Sequence, residues 1–544
     1  MRLHILSGTI SYIQRTDEMS FTEIAKKNSL KNGEMKSFKI NDENNVLLCR
    51  IEDEYFAVGA NCTHYGAPLE EGVLKGDTII CPWHHACFNA KTGDMLEPPA
   101  MDSLPKYEVK IKGDAVQINV PEKIEGSRIP KMVRNDAKAD NRTFIILGAG
   151  GSAYGAVQSM RENGFKGNII MITYEDKNPY DRPNLSKDYL SGSADPAWMP
   201  LRPDSFYDDY GIDIKTGTLI KSVDLKTKIV SLQNGGNLKY DKLLIATGGV
   251  PRKLEVPGAD LQNIFYLRSF KDADEIIKVI RNSKKAVVIG TSFIGMETAF
   301  SLKERNIDVT VIGREETPFE RVFGKEIGNM LRNEHEEKGI SFKLKSKIKA
   351  LRGDSKVKSI LLESGEEIET DFVIAGIGVV PATQFLSGID LLKDGSLKTD
   401  AYLRVQEDVY ASGDVATFPD FRTGDSIRVE HWRLAAQLGR TAGANMAGKK
   451  IKYEEVPFFW TVQAGLNLRY AGFIKEWDEI ITDGNISQKE FISYYVKNNK
   501  ILAAAGINRD KEMDAVHLLM KEQKLPDAEA FRKNTIDTIS LISM

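Results

Sequence analysis

Twice in this chain an apolar strand runs into a glycine-rich turn and then into a helix, and few folds accommodate that arrangement. In the first copy Phe144–Leu147 leads into Gly148-x-Gly150-x-x-Ala153. Gly148 makes the tight turn, Gly150 lets the backbone approach a pyrophosphate at the helix N-terminus, and Ala153 is small enough for close helix–strand packing. A second strand, Asn168–Thr173, ends near Glu175, whose carboxylate can accept from ribose hydroxyls. In the second copy Ala286–Ile289 leads into Gly290-x-Ser292-x-x-Gly295, with a serine in the place of the middle glycine. Its partner strand, Asp308–Ile312, ends in Gly313-Arg314-Glu315. Arg314 suits a 2′-phosphate while Glu315 still reaches a ribose, so NADH and NADPH both stay open, with a slight lean to NADPH. Two α/β units with parallel sheets are the expected frame.

A second constellation lies upstream. Cys62-x-His64 and Cys81-x-x-His84 place one thiolate and one imidazole on each of two short loops. A Cys₂His₂ zinc finger pairs Cys with Cys and His with His, whereas here the pairs are mixed. Cys₂ on one iron and His₂ on the other is the ligand set of a [2Fe–2S] centre of the Rieske kind. The surrounding sequence, C-T-H-Y-G-A-P-L-E-E-G-V-L and C-P-W-H-H-A-C-F-N-A-K-T-G, resembles the Rieske-type ferredoxin fold over roughly residues 20 to 120. Beside it, Gly66 and Gly72 suit tight loop geometry, Pro82 stiffens the second loop, and Trp83 can shield one side of the cluster. The residue after the second histidine is commonly Gly in this family and is His85 here. A spare imidazole there could tune potential or proton coupling; the expectation is an exposed substitution without a role. Ala67 stands where the high-potential subtype carries a disulfide cysteine, so Cys87 is expected to be a buried thiol.

With 544 residues the chain is too long for one core. Its net charge of −3 lacks the basic excess of a nucleic-acid surface, and no apolar run reaches a membrane span. Residues 1–18 lack the apolar core of a signal peptide and are expected to be a disordered extension. Four cysteines leave no disulfide framework, which points to the cytoplasm. Residues 19–121 alternate apolar and polar in short runs and read as an all-β domain. Residues 122–141 are polar and aperiodic, a linker. From there strands alternate with helices: 142–265 and 386–450 form the first dinucleotide domain, 266–385 the second. Residues 451–544 return to strands before a helical tail, an α+β domain.

The stretch 142–480 resembles the flavoprotein family with two dinucleotide domains, and within it the ferredoxin reductases of oxygenase systems and apoptosis-inducing-factor-like proteins. The carrying motifs are P-Y-D-R-P-N-L-S-K (Pro179–Lys187), L-I-A-T-G-G (Leu244–Gly249), Y-A-S-G-D (Tyr410–Asp414) and E-H-W (Glu430–Trp432). The resemblance implies that the first unit binds FAD and the second the nicotinamide nucleotide. It places Arg182 and Pro183 along the FAD, Thr247 and Gly248 at a turn near it, Gly413 and Asp414 at the ribityl region, and Glu430, His431 and Trp432 in the cofactor site. Lys187 and Glu297 fall on the pair beside the flavin N5 edge.

Disulfide reductases of this superfamily need a cysteine pair next to the flavin, and residues 88–544 contain no cysteine. The expected path is therefore NAD(P)H to FAD to cluster to a protein acceptor: an oxygenase, a ferredoxin or a cytochrome. A homodimer is among the expected assemblies. Two alternatives stay open: a redox-responsive signalling protein, and a flavin-level reductase of a small oxidant.

Overall fold

A computed structural model describes residues 21–121, 123–533 and 536–542. The expected extension 1–18 lies outside the described residues. The chain forms two compact units. One runs through Ile80 and includes Cys87–Leu96 and Ala100–Ile129; the other holds Cys81–Ala86, Glu97–Pro99 and everything from Pro130 onward. The second ligand loop thus leaves the first unit after the strand Thr78–Ile80 and rejoins it at the strand Cys87–Asn89.

The first unit is all-β, as its alternating pattern requires. Met35–Lys39, Asn45–Ile51, Glu54–Gly59 and Lys106–Tyr107 make one antiparallel sheet around Val46, Leu48 and Ala57. A second sheet, of Val73–Lys75, Thr78–Ile80, Cys87–Asn89 and Met95–Glu97, carries the ligand loops at its ends. Near its C-terminal boundary Arg128 donates to Thr92 and Leu104 carbonyls and pairs with Asp94.

In the second unit, the later part of the expected linker wraps against the domain that follows it. Val133 N donates to Arg161 O (3.1 Å), and the Asn135 amide donates to the carbonyls of Lys166 and Gly167. Two parallel sheets follow. The first centres on Thr143–Leu147, between Asn168–Ile172 and Lys242–Ile245, with Val409–Ala411 beyond. The second centres on Lys285–Ile289, between Asp308–Ile312 and Phe372–Ala375, with Ile264–Phe265 at its edge. That edge strand lies inside the stretch read as the end of the first domain. The last region is a five-stranded antiparallel sheet, Phe458–Gln463, Leu466–Gly472, Lys500–Ile507, Glu490–Lys497 and Glu479–Asn485, packed on the helix Asp510–Lys521.

The helix that opens the first dinucleotide domain, Gly151–Glu162, lies tightly on Trp432–Met446. Glycines make this approach possible. A Cβ on Gly439 would sit 2.0 Å from Ser152 O, one on Gly443 2.3 Å from Ala156 O, and one on Gly155 2.6 Å from Ala436 O. The backbone at the phosphate-binding turn is therefore set by a remote segment. Gly439→Ala is expected to destabilise the protein by about 1–3 kcal/mol, the usual cost of overpacking, and to loosen FAD; urea unfolding and flavin retention on gel filtration check it.

Candidate functional site

The two ligand loops share one backbone design. In the first, Cys62 N donates to Ala67 O (2.8 Å) and Gly66 N to Cys62 O (2.9 Å), with Gly66 at φ 78. In the second, Cys81 N donates to Ala86 O (2.9 Å) and His85 N to Cys81 O (3.1 Å), with His85 at φ 59. Each loop closes on a left-handed residue four after its cysteine. Gly66 meets this at no steric cost and His85 does not. Gly72, by contrast, sits at φ −87, where no glycine is required.

Burial lowers His64 to about 4, which keeps its imidazole neutral, the form that ligates metals. Among the described residues no three His, Cys, Asp or Glu side chains are arranged to hold one metal ion. A Rieske centre asks for no such trio, since each iron takes only two protein ligands. The donor set of two thiols and two imidazoles fits that centre, with Cys62 and Cys81 both buried and in no disulfide. Cys87 is buried as well.

His85 is not the exposed substitution expected. It is 1% exposed, its Nδ1 lies 2.6 Å from Asp514 Oδ1, and its ring stacks on Phe458 at 4.6 Å. Sequence reasoning missed it because Asp514 lies on a helix 429 residues away. The loop's backbone is gripped too. Arg433 Nε donates to the carbonyls of Pro98 (3.0 Å) and His85 (3.3 Å), and Arg469 Nε to that of Pro82 (3.1 Å). His84 packs on Trp460, ring centroids 4.3 Å apart.

At the first dinucleotide turn Gly148 adopts φ 113, and a Cβ there would lie 2.3 Å from Ala246 O. No atom lies within 4 Å of where a Gly150 Cβ would point, which leaves the approach of a pyrophosphate open. Ala153 is fully buried, and Trp432 packs on Gly151. Glu175 accepts from Tyr180 Oη (2.5 Å) and from Arg182 Nη2 (2.7 Å), while Arg182 Nη1 reaches Arg268 O (2.6 Å). Pro183 opens the short helical turn that carries Lys187. Thr247 Oγ1 donates to Ala382 O, and Gly248 adopts φ 69 beside Arg268. Arg268 also holds Asp414 at 3.1 Å, next to Gly413 at φ 75. Glu430 pairs with Arg428, and burial raises its carboxyl above the ordinary value. Burial pushes His431 down to about 3; its Nδ1 is buried without a protein partner and so suits a polar edge of a bound flavin.

The structure brings Lys187 and Glu297 together: Nζ donates to Oε2 at 2.6 Å. Ser186 Oγ donates to the same oxygen (2.7 Å), and Thr461 Oγ1 to Oε1 (2.8 Å). Gln463 Nε2 donates on to Thr461 Oγ1, and its Oε1 accepts from His335 Nε2 (3.1 Å). Ser186, Thr461, Gln463 and His335 gave no sequence signal of this kind.

In the second fingerprint Gly290 adopts φ 118 under Gly376 O, and Gly295 packs on Gly290 O. Ser292 caps the helix Phe293–Glu304 without a side-chain bond, which leaves the N-terminal amides open to an anion. Glu315 Oε2 accepts from Thr291 Oγ1 (3.2 Å) and its Oε1 pairs with Arg321, whereas Arg314 is exposed.

Comparison with known proteins agrees with this geometry. The pyridine nucleotide-disulphide oxidoreductase pattern matches residues 142–439. The chain belongs to that family. A Rieske [2Fe-2S] domain matches residues 20–108 and a reductase C-terminal domain residues 458–542. Human apoptosis-inducing factor 3 is 34% identical over 94% of this chain and 85% of its own length. Rubredoxin-NAD(+) reductase of Pseudomonas putida is 31% identical over 71% of this chain and all of its own. The solved complex of putidaredoxin reductase with putidaredoxin superposes with a TM-score of 0.70 at 27% identity, covering 74% of this chain and 98% of that one. The protein is an NAD(P)H-dependent flavoprotein oxidoreductase of the ferredoxin- and rubredoxin-reductase type, and its cofactors are FAD and a Rieske [2Fe–2S] cluster.

The polar network around Glu297 has a pH signature. Burial lowers His335 to about 4, below the ordinary 6.5. The unfolded chain takes up a proton that the folded ring refuses, so this contribution is whole above pH 6.5 and is lost as pH falls toward 4. The stability advantage of wild type over His335→Gln should shrink across that window by up to roughly 3 kcal/mol, as followed by urea unfolding at pH 7, 5.5 and 4.5.

Proposed function

We propose that this protein takes hydride from NAD(P)H and delivers electrons singly, through its own Rieske cluster, to a protein acceptor: an oxygenase, a ferredoxin or a cytochrome. FAD supplies the change from two electrons to one when bound, and the cluster carries one at a time. Cys62, His64, Cys81 and His84 would hold the cluster. Gly148, Gly150, Ala153, Glu175, Arg182, Pro183, Thr247, Gly248, Gly413, Asp414, Glu430, His431 and Trp432 would hold FAD. Gly290, Ser292, Gly295, Arg314 and Glu315 would hold the nucleotide.

The observation that carries this reading is the aromatic contact running from His84 to Trp460 at 4.3 Å and from Trp460 to His431 at 5.0 Å. It joins a ligand histidine to the E-H-W motif of the flavin site in a half of the chain that has no cysteine. Relatives are named for the separate carriers they serve, rubredoxin and rhodocoxin, and one is joined to putidaredoxin. Here a carrier is in the same chain. The role of Lys187 is to position: its ammonium, fixed by Glu297, would hold positive charge at the flavin edge where hydride arrives. Four cysteines, two of them in the cluster motifs, are too few for a disulfide framework, which supports placement in the cytoplasm.

The similarity to apoptosis-inducing factor 3 over nearly the whole chain favours a second reading, a redox-responsive signalling protein. Slow reoxidation by every protein acceptor, with a change of oligomeric state on NAD(P)H binding, would select it.

Cys81→Ser or His84→Ala is expected to remove iron and sulfide while FAD stays bound and is still bleached by NAD(P)H. Electron delivery to cytochrome c, a one-electron probe, should fall at least tenfold; wild-type delivery without a cluster would overturn the path. For the nucleotide, Arg314→Ala should weaken NADPH binding about tenfold and spare NADH, if Arg314 reads a 2′-phosphate. Equal loss for both, measured by flavin reduction titrations, would show that Arg314 does not read the 2′-phosphate.

A further inference from the structure

The two ligand loops are built alike, yet they differ at the one position where the backbone turns left-handed. Gly66 stands in the first loop at φ 78 and His85 in the second at φ 59. A non-glycine residue is strained in that conformation, so the loop would close more comfortably on glycine. What His85 adds is a side chain that reaches into the core of the second unit. It bonds Asp514 at 2.6 Å, stacks on Phe458 at 4.6 Å, and meets His517 edge-on at 4.0 Å. His517 is itself fixed by a hydrogen bond to Val456 O (3.1 Å). Asp514 and His517 lie on one helix, Asp510–Lys521, whose first residue pairs with Arg469, the donor to Pro82 O.

The bonds from Arg433 and Arg469 go to loop carbonyls, which any residue supplies. The bond to Asp514 depends on histidine. We propose that His85 and Asp514 form a lock that fixes the second ligand loop, and with it His84, to the C-terminal helix. His85 acts in this as a positioning residue: it holds His84 on Trp460. The proposal rests on the electron path given above, but the lock itself is a matter of loop mobility and can be read without it.

His85→Gly is the informative variant, because glycine keeps the left-handed turn without strain and removes only the lock. It is expected to retain about two irons per chain and normal bleaching of FAD by NAD(P)H. Amide hydrogen exchange at Trp83–Ala86 should rise at least tenfold, in the holoprotein and in the protein stripped of iron. Reduction of the cluster by the flavin, followed by rapid-mixing absorbance, should slow at least tenfold. Asp514→Ala should match it, and Asp514→Asn, which still accepts from the imidazole, should stay close to wild type. Unchanged exchange and unchanged cluster reduction in His85→Gly would overturn the lock. If His85→Gly loses its cluster, the Asp514→Ala and Asp514→Asn pair decides: equal exchange in the two overturns the lock, and tenfold separation supports it. A wild-type flavin that never reduces the cluster would sink the electron path, while exchange would still decide the lock.

Discussion

The carboxylate of Glu297 accepts from Lys187 and Ser186 on one oxygen and from Thr461 on the other. The donors lie 110, 111 and 164 residues away in sequence, on the turn after the first dinucleotide strand pair and on the first strand of the C-terminal sheet. Glu297 itself sits on the helix of the second fingerprint. One buried charge therefore ties the flavin-side turn, the nucleotide helix and the C-terminal sheet to one point. A buried carboxylate is tolerated only where its lone pairs are filled, and removing one partner of such a pair costs about 3–5 kcal/mol. The local geometry follows from this requirement, because the chain cannot leave Glu297 unpaired without leaving a charge in its core.

Most of the architecture was legible because its signals are local. Gly148 and Gly290 occupy φ values of 113 and 118, each beneath a carbonyl that would lie within 2.3 Å of a Cβ. Only glycine fits, so the letter in the sequence reports the turn directly. The mixed Cys/His loops are equally short-ranged. What was not legible is long-ranged. Trp460 and Thr461 lie in the run F-F-W-T-V-Q, which reads as an ordinary core strand until the strand is placed beside His84 and Glu297. The packing of Gly155 on Ala436, of Gly439 on Ser152 and of Gly443 on Ala156 carried a readable cue, small residues four apart on a helix, although the two helices lie nearly 300 residues apart in sequence.

His85 shows the limit most clearly. A lone histidine in a loop has no period, and its usual fate is exposure. Its burial depends on Asp514 and Phe458, which no local pattern connects to it. The same holds for residues 122–141. Their composition is that of a mobile connector, yet Asn135 and Val133 bond to the backbone at the end of the first dinucleotide helix, because that end exposes carbonyls that need donors.

The distribution of sulfur has a consequence for how this enzyme ages. Where a reduced flavin reacts with dioxygen it releases reactive oxygen such as peroxide, and oxidation of cysteine follows thiolate character and exposure. The half of the chain that handles hydride contains no thiol, and all four cysteines lie between residues 49 and 87. All four are buried, and two of them stand at the cluster loops. Thiol oxidation is thus confined to residues 49–87. On the proposed electron path, an aged molecule would keep consuming NAD(P)H after it had lost the means to pass single electrons on, turning a reductase into a source of the peroxide that damaged it.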